Sequence, residues 1–319
     1  MKKELTLIIN PISGTKSKRG LDSKITKRLT DLGYNVTCRL TERAGHATEL
    51  AKQAVEDGAE IVAVCGGDGT INETAMAMRG TGVPMALIPN GSGNGLARHL
   101  RIPIDIKGSV DVIGKGVVQD CDCGVVNGKP FFCTFGIGFD AEVAHRFAHA
   151  DGRGFSTYLK SAIDEFGVYK LRKYRLNLDG REIEREAFLV ACCNASQYGN
   201  NSFIAPQASV DDGLLDIVII KSKNGLNTLQ AGLDVMIGMV SFNKHIEVIK
   251  ARKVTIEYSE PLHAHLDGEP ISMPGRMEVE CMPKQLRICV PFPERKFTPI
   301  ITPFNLTLRD IGLAIKHNL

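Results

Sequence analysis

Apolar and polar positions change rhythm along this chain, and the changes predict its elements. Leu5-Thr6-Leu7-Ile8-Ile9 is a short apolar run that stops at Asn10-Pro11, the pattern of a strand closed by a turn. Leu21, Ile25, Leu29 and Leu32 recur at helical spacing and predict a helix over Gly20–Leu32. Val36–Leu40 reads as strand, and a helix follows near Ala47–Glu56. Ile61-Val62-Ala63-Val64-Cys65 is a continuous apolar run, which a strand needs when both faces of its sheet are covered. A helix starting after Gly69 and a buried strand at Pro84–Ile88 extend the alternation to about residue 120. This β-α-β-α order predicts a Rossmann-like, doubly wound parallel α/β domain.

Beyond that point the period drops to two. Val254, Ile256 and Tyr258, then Met277 and Val279, then Leu286, Ile288 and Val290 alternate as strands do. Asp179-Gly180 and Asp267-Gly268 are hairpin-type pairs between such runs. Helices are expected only near Thr157–Tyr169 and Leu226–Met239, and again in the tail, where Leu308, Ile311, Leu313 and Ile315 recur. The expected organisation is an α/β domain at 1–122 and a β-rich, antiparallel sandwich domain at 123–302. A helix at 303–319 is expected to pack back on the first domain.

Composition narrows the function classes. The chain has 319 residues, 43% hydrophobic and 24% charged, which fits two globular domains and excludes disorder as its main state. A formal charge of +3, no Trp and 6% aromatics argue against a nucleic-acid partner, which needs a basic field or stacking platforms. No apolar run reaches the ~20 residues of a membrane-spanning helix, and the opening run is too short for a signal peptide. The nine cysteines lack metal-site or framework spacing; Cys121 and Cys123 are one residue apart, and Cys192 and Cys193 are adjacent. Reduced, buried thiols in a cytoplasmic protein are expected.

The 32 glycines carry the chemistry. Gly66-Gly67-Asp68-Gly69-Thr70-Ile71-Asn72-Glu73 follows a buried strand and opens a helix. Closely spaced glycines let backbone amides approach a ligand, and a helix N-terminus adds positive potential, so phosphate suits the place. Asp68 among such amides would repel phosphate unless it held a magnesium ion or a hydroxyl donor, and no core packing is expected to depend on it. A plain capped turn is the simpler alternative, but the polar run is longer than capping requires. Gly91-Ser92-Gly93-Asn94-Gly95 follows the next strand, and Asn10-Pro11-Ile12-Ser13-Gly14 ends the first. Neither glycine loop is a Walker P-loop or a G-x-G-x-x-G fingerprint. Three polar loops at neighbouring strand ends suit a nucleotide polyphosphate.

Asn10-Pro11-x-Ser13-Gly14, Gly66 to Glu73, Pro89-x-Gly91-Ser92-Gly93-Asn94, Asp212-Gly213-x-Leu215-Asp216 and Asp267-Gly268-Glu269 occur in this order. Together they resemble the diacylglycerol kinase catalytic family, which includes bacterial diacylglycerol kinases, sphingosine kinases and ceramide kinase. The resemblance implies ATP bound in a cleft between the two domains, with Asn10, Ser13, Thr41, Gly66, Gly67, Asp68, Gly69, Thr70, Asn72, Glu73 and Ser92 as its contacts. It implies acid–base chemistry by Asp267 and Glu269, with Asp68 beside them. It also implies a structural Mg²⁺ on Asp212 with backbone oxygens of Ser209 and Leu214. The Gly91–Ala97 loop looks more like the sphingosine kinase branch, and Gly66 and Thr70 more like the diacylglycerol kinase branch.

The expected protein is thus an ATP- and Mg²⁺-dependent lipid kinase, cytoplasmic and peripheral at the inner membrane face. Diacylglycerol is the lead acceptor and a sphingoid base the second; a homodimer is an open option. NAD kinase shares the Gly-Gly-Asp-Gly-Thr loop, and a non-catalytic nucleotide-binding regulator is the reading outside enzymes. His263 and His265, two apart on a strand, are expected to orient the Asp267 loop rather than bind metal. The basic, aromatic stretch Tyr169–Arg175 reads as a solvated strand edge in preference to a lipid-headgroup contact.

Overall fold

The computed structural model of the protein describes residues 2–14, 20–149, 169–221, 230–231, 233–235, 237–291 and 297–318. The chain divides into two compact units. The first comprises Met1–Cys121, Lys284–Lys296 and Asp310–Leu319, and the second Asp122–Pro283 and Phe297–Arg309. Residues 284–296, which the sequence places in the β-rich domain, are thus counted with the α/β unit.

In the first unit, β1 (Lys3–Ile9), β2 (Tyr34–Leu40), β3 (Ile61–Gly66) and β4 (Met85–Pro89) pair in parallel in the order β2-β1-β3-β4. The end of β16 (Arg276–Val290) adds beside β4, with Ile288 opposite Met85. Alternation along each strand sends side chains to opposite faces. Leu5, Leu7, Ile9, Ala63, Cys65 and Ile88 meet Ile25 and Leu29 of α1 (Leu21–Asp31) and Val110 and Ile113 of α5 (Ile106–Lys115). On the sheet's strands β1 and β3 also lie α2 (His46–Glu56) and α3 (Asp68–Met78), which pack on each other. Parallel strands covered in this way must be apolar throughout, and every residue of β3 and β4 is buried. A short helix, α4 (Gly95–His99), follows β4.

The second unit is an antiparallel sandwich. One sheet runs in the order β12 (Ile246–Ala251), β11 (Leu215–Ile220), β10 (Leu189–Cys193), β7 (Thr134–Gly138), β14 (Leu262–Leu266) and β15 (Glu269–Met273). The other contains β8 (Arg172–Leu178), β9 (Arg181–Ala187), β13 (Lys253–Glu257) and the start of β16. Phe135, Ile137, Val190 and Ile217 from the first sheet share a core with Tyr174, Leu176, Val254, Ile256 and Met277 from the second. β5 (Val117–Val126) joins β6 (Lys129–Phe131), and α6 (Phe139–Ala148) follows β7. The three hairpin pairs Asn127-Gly128, Asp179-Gly180 and Asp267-Gly268 all have positive φ at both residues, the type I′ geometry that matches strand twist.

The tail forms α7 (Ile301–Asn318). The helix expected near Thr157–Tyr169 lies, but for Tyr169, outside the described residues. Of the one expected near Leu226–Met239, the described residues 230–231, 233–235 and 237 are helical. The Tyr169–Arg175 stretch does not form an edge: β8 pairs with both β9 and β13. Its Tyr174 is fully buried, and Arg172 pairs with Glu142 while its guanidinium stacks over the Tyr169 and Tyr258 rings. All nine cysteines are free thiols and only Cys38 is exposed. Among the described residues, no helix is long and apolar enough to cross a membrane.

At the open edges of the two sheets, Arg185 of β9 and Lys221 after β11 both reach Glu247 of β12 at 2.8–3.0 Å. These cations hold the Glu247 carboxyl down to about 2, below its ordinary 4.5. A depressed carboxyl pKa stabilises the fold above the unfolded value and ceases to do so as pH falls towards the folded one. Wild type should therefore melt above Glu247→Gln at pH 7, and the gap should narrow between about pH 4.5 and pH 2 in thermal melts.

Candidate functional site

Three loops meet at the carboxyl ends of the parallel strands in the first unit. Asn10, after β1, donates from Nδ2 to Thr70 Oγ1 at 2.8 Å and so ties the first loop to α3. Ser13 Oγ donates to the Asn10 carbonyl at 3.0 Å, and Asn90 Nδ2 reaches Ser13 Oγ at 3.4 Å. Thr41, buried, donates its backbone amide to Ile9 at 2.9 Å. The loops approach so closely that a Cβ on Gly91 would lie 2.6 Å from Gly67 Cα, and within its own loop one on Gly66 would lie 2.6 Å from Thr70 Cβ. Those glycines are required by neighbouring backbone and side chain. Gly67 differs. A Cβ there meets only Gly91 Cα, at an ordinary 3.5 Å, and its φ of −85° suits any residue. Among the described residues, no protein atom crowds position 67 into glycine.

The acids of the motif face inward. Asp68 Oδ2 accepts the Asn94 amide at 2.8 Å and Oδ1 the Gly95 amide at 2.7 Å. The carboxylate thus caps α4 and joins the second loop to the third. A Cβ on Gly93 would lie 2.8 Å from Asp68 Oδ2, which accounts for that glycine. The expectation that no packing depends on Asp68 is overturned. Glu73, expected as a nucleotide contact, is likewise turned away. Its Oε1 accepts the Gly45 amide at 2.8 Å and its Oε2 the Ala47 amide at 3.2 Å, so it caps α2, which has no cap of its own. Gly69 and Asn72 are half-buried in the first turn of α3, and Ser92 is exposed.

Sequence reasoning passed over two members of this site. Asn94 adopts φ 53° and exchanges hydrogen bonds with both backbone groups of Gly91, at 3.1 and 2.9 Å, which shapes the third loop. Arg98 donates from Nε to the Gly93 carbonyl at 2.9 Å and pairs with Asp310 of α7. The Gly-Asn-Gly spacing could have signalled the first. Nothing local signals the second.

In the second unit Asp267 and Glu269 flank the β14–β15 turn. Asp267 accepts the amides of Phe132, Cys133 and Thr134 at 2.7–2.8 Å, and its own amide donates to the Thr134 carbonyl at 2.8 Å. Burial raises its carboxyl to about 6, against the pull of those three donors. Its carboxylate is a clasp for the turn. Glu269, at the start of β15, is exposed. His263 binds Glu142 at 2.7 Å, and His265 lies buried beside Asp140. No group of metal-ligating side chains is found among the described residues.

Asp212, the expected magnesium ligand, is engaged by a lysine. Asp212 Oδ2 contacts the Lys250 ammonium at 2.5 Å, and Oδ1 accepts the Leu214 amide at 3.1 Å. Lys250 Nζ also lies 3.3 Å from Asp216, whose residue is 2% exposed. Lys250 stands opposite Asp216 in the β11–β12 ladder, so the strand register delivers a cation to both carboxylates. The ammonium thus bridges Asp212 and Asp216.

An α/β unit with ligand loops at its strand ends and an antiparallel sandwich carrying an acidic turn define a two-domain phosphotransferase class. The diacylglycerol kinase catalytic domain family matches residues 4–126, and the YegS C-terminal NAD kinase beta sandwich-like domain matches residues 134–290. The chain is 28% identical over 272 residues to a diacylglycerol kinase of Bacillus subtilis, covering 84% of this chain and 90% of that one. It is 29% identical over 287 residues to a diacylglycerol kinase of Staphylococcus aureus, covering 84% and 87%. A crystal structure of a diacylglycerol kinase from Bacillus anthracis shares the fold, with TM-score 0.72 at 22% identity over 91% of this chain and 97% of that one. The chain belongs to the diacylglycerol kinase catalytic family and is a lipid kinase.

Two outcomes follow from the geometry. Asp68→Ala strips two charge-assisted bonds from the Asn94 and Gly95 amides, so unfolding free energy should drop by on the order of 2–3 kcal/mol in denaturant melts, alongside any loss of turnover. Unchanged stability would contradict the clasp. For the Asp212 cluster, Mg²⁺ should leave the wild-type Tm unmoved, because the ammonium already neutralises the carboxylates, while Lys250→Met should become stabilised by millimolar Mg²⁺. A magnesium-dependent rise in the wild type, abolished by Asp212→Asn, would restore the metal site.

Proposed function

We propose that the protein transfers the γ-phosphoryl group of ATP to the free hydroxyl of diacylglycerol, yielding phosphatidic acid. The observation that carries the nucleotide half is Gly67, at the N-terminus of α3, where a Cβ would meet only Gly91 Cα at an ordinary 3.5 Å. Its neighbouring amides are the first of that helix and lack intrahelical acceptors, so they suit phosphate oxygens. The relatives named diacylglycerol kinase support the acceptor.

Phosphoryl transfer is catalysed mainly by positioning and by neutralising charge on the phosphoryl oxygens. The amides of Gly67–Thr70 would orient the polyphosphate, with Asn10, Thr70 and Ser92 around it. Mg²⁺ brought with the nucleotide would neutralise developing charge. Among the residues of the three loops Asp68 is the carboxylate that would hold it, since the two amide bonds leave lone pairs on both oxygens. Glu269 takes the acceptor's hydroxyl proton, because Asp267 is committed to three amides and Glu269 reaches solvent. A bilayer-held acceptor implies transient, peripheral membrane contact at the cytoplasmic face. The Gly91–Gly95 loop keeps a sphingoid base as the second acceptor.

Radiolabelled ATP offered with diacylglycerol or sphingosine in mixed micelles tests the reading. Diacylglycerol should be labelled in preference to sphingosine. Gly67→Ala should keep the wild-type Tm and raise the KM for ATP about tenfold or more, and Glu269→Gln should cut kcat on the order of 10²-fold with the KM for ATP little changed. Labelling of sphingosine alone would move the acceptor to the second reading. Full turnover in Glu269→Gln would remove the base.

A further inference from the structure

We propose that Asp140 and His265 form a buried positioning pair that sets the orientation of Glu269 through the Gly268 amide; this rests on Glu269 acting as the base. Asp140 lies in the first turn of α6 and is 6% exposed, and His265 on β14 is 2% exposed. Asp140 Oδ1 accepts the Ala141 amide at 2.9 Å. Its Oδ2 accepts the Tyr198 hydroxyl at 2.8 Å and lies 3.1 Å from His265 Nε2. On the far side of the ring, the Gly268 amide donates to His265 Nδ1 at 3.3 Å.

These contacts fix the tautomer. An amide N–H can only donate, so Nδ1 must be the unprotonated acceptor and the ring proton must sit on Nε2, directed at Asp140. Asp140 therefore selects the form of His265 that can hold Gly268. The turn itself is bound on its other side, where Asp267 clasps three amides and donates its own to Thr134. Leu266 and Glu269 close the hairpin ladder, and within the turn His265 Nδ1 pins the N–H of the peptide plane between Asp267 and Gly268. Glu269 is the next residue, so its direction follows that plane.

The surrounding sequence makes room for the pair. Gly136 of β7 stands opposite His265 in the ladder, and a Cβ there would lie 2.3 Å from both Asp140 Oδ2 and His265 Nε2. Its φ lies outside the left-handed region, so space for the pair is what glycine supplies at this position. A histidine buried only for packing would need neither this gap nor an acceptor aimed at the turn.

The tautomer can be read directly by ¹⁵N NMR of the histidine ring in the full-length wild-type protein. The expected state is protonated Nε2 and unprotonated Nδ1 at neutral pH. A ring protonated on Nδ1 overturns the proposal without any variant. In Asp140→Asn, the Ala141 bond keeps the amide oxygen in place and turns the NH₂ group towards His265. The ring proton should move to Nδ1, opposing the Gly268 N–H, and kcat should fall about tenfold with the KM for ATP within about twofold. Gly136→Ala should act in the same direction by parting the two side chains. In a Glu269→Gln background, Asp140→Asn should have no further effect on the residual turnover, because the pair acts through Glu269. An equal loss in both backgrounds would make the pair merely structural. Full turnover in Glu269→Gln would instead remove the base assignment, an outcome separate from the tautomer.

Discussion

The first unit depends on one carboxylate placed among backbone amides. A parallel sheet leaves its loops as separate connections, each ending at a helix whose first amides have no partner. Asp68 resolves this for two loops at once by accepting the amides of Asn94 and Gly95. Because the bond joins loops that are neighbours in the sheet but distant in sequence, it sets how far apart they stand. That spacing makes Gly91 and Gly93 obligatory and leaves the backbone at Gly67 clear. The Asp68 carboxylate is thereby directed at backbone amides of the neighbouring loop.

The same use of acids recurs through the molecule. Glu73 caps α2, Asp105 caps α5 by accepting the Gly108 amide, and Asp267 clasps three amides beneath its turn. Asp212 and Asp216 share Lys250. Motif acids in this protein mostly shape backbone. Glu269, at the end of its hairpin, is exposed.

The element pattern was legible because burial imposes periodicity: both faces of β3 and β4 are covered, so Ile61–Cys65 and Pro84–Ile88 read as unbroken apolar runs. Asp-Gly pairs likewise announced their hairpins through the positive φ they tolerate. The places of the ligand loops followed from glycine spacing. The division of labour among the acids did not. Asp68 meets Asn94, Arg98 meets Asp310 and Asp212 meets Lys250 only after the fold brings distant segments together. No local pattern distinguishes a carboxylate aimed at an amide from one aimed at a ligand. Lys250 looked like any outward lysine on a period-two strand, yet register sets it opposite the buried Asp216, where it also meets the exposed Asp212.

Titrating Mg²⁺-ATP into ¹⁵N-labelled protein and following backbone amide shifts tests the central claim most directly. If Asp68 is the scaffold and the glycine backbone the ligand surface, the amides of Gly67, Asp68, Gly69 and Thr70 should shift most. Those of Asn94 and Gly95, already held by Asp68, should move little. Large shifts at Asn94 and Gly95 with a silent Gly67–Thr70 segment would mean that the nucleotide displaces the clasp, and the account would be wrong.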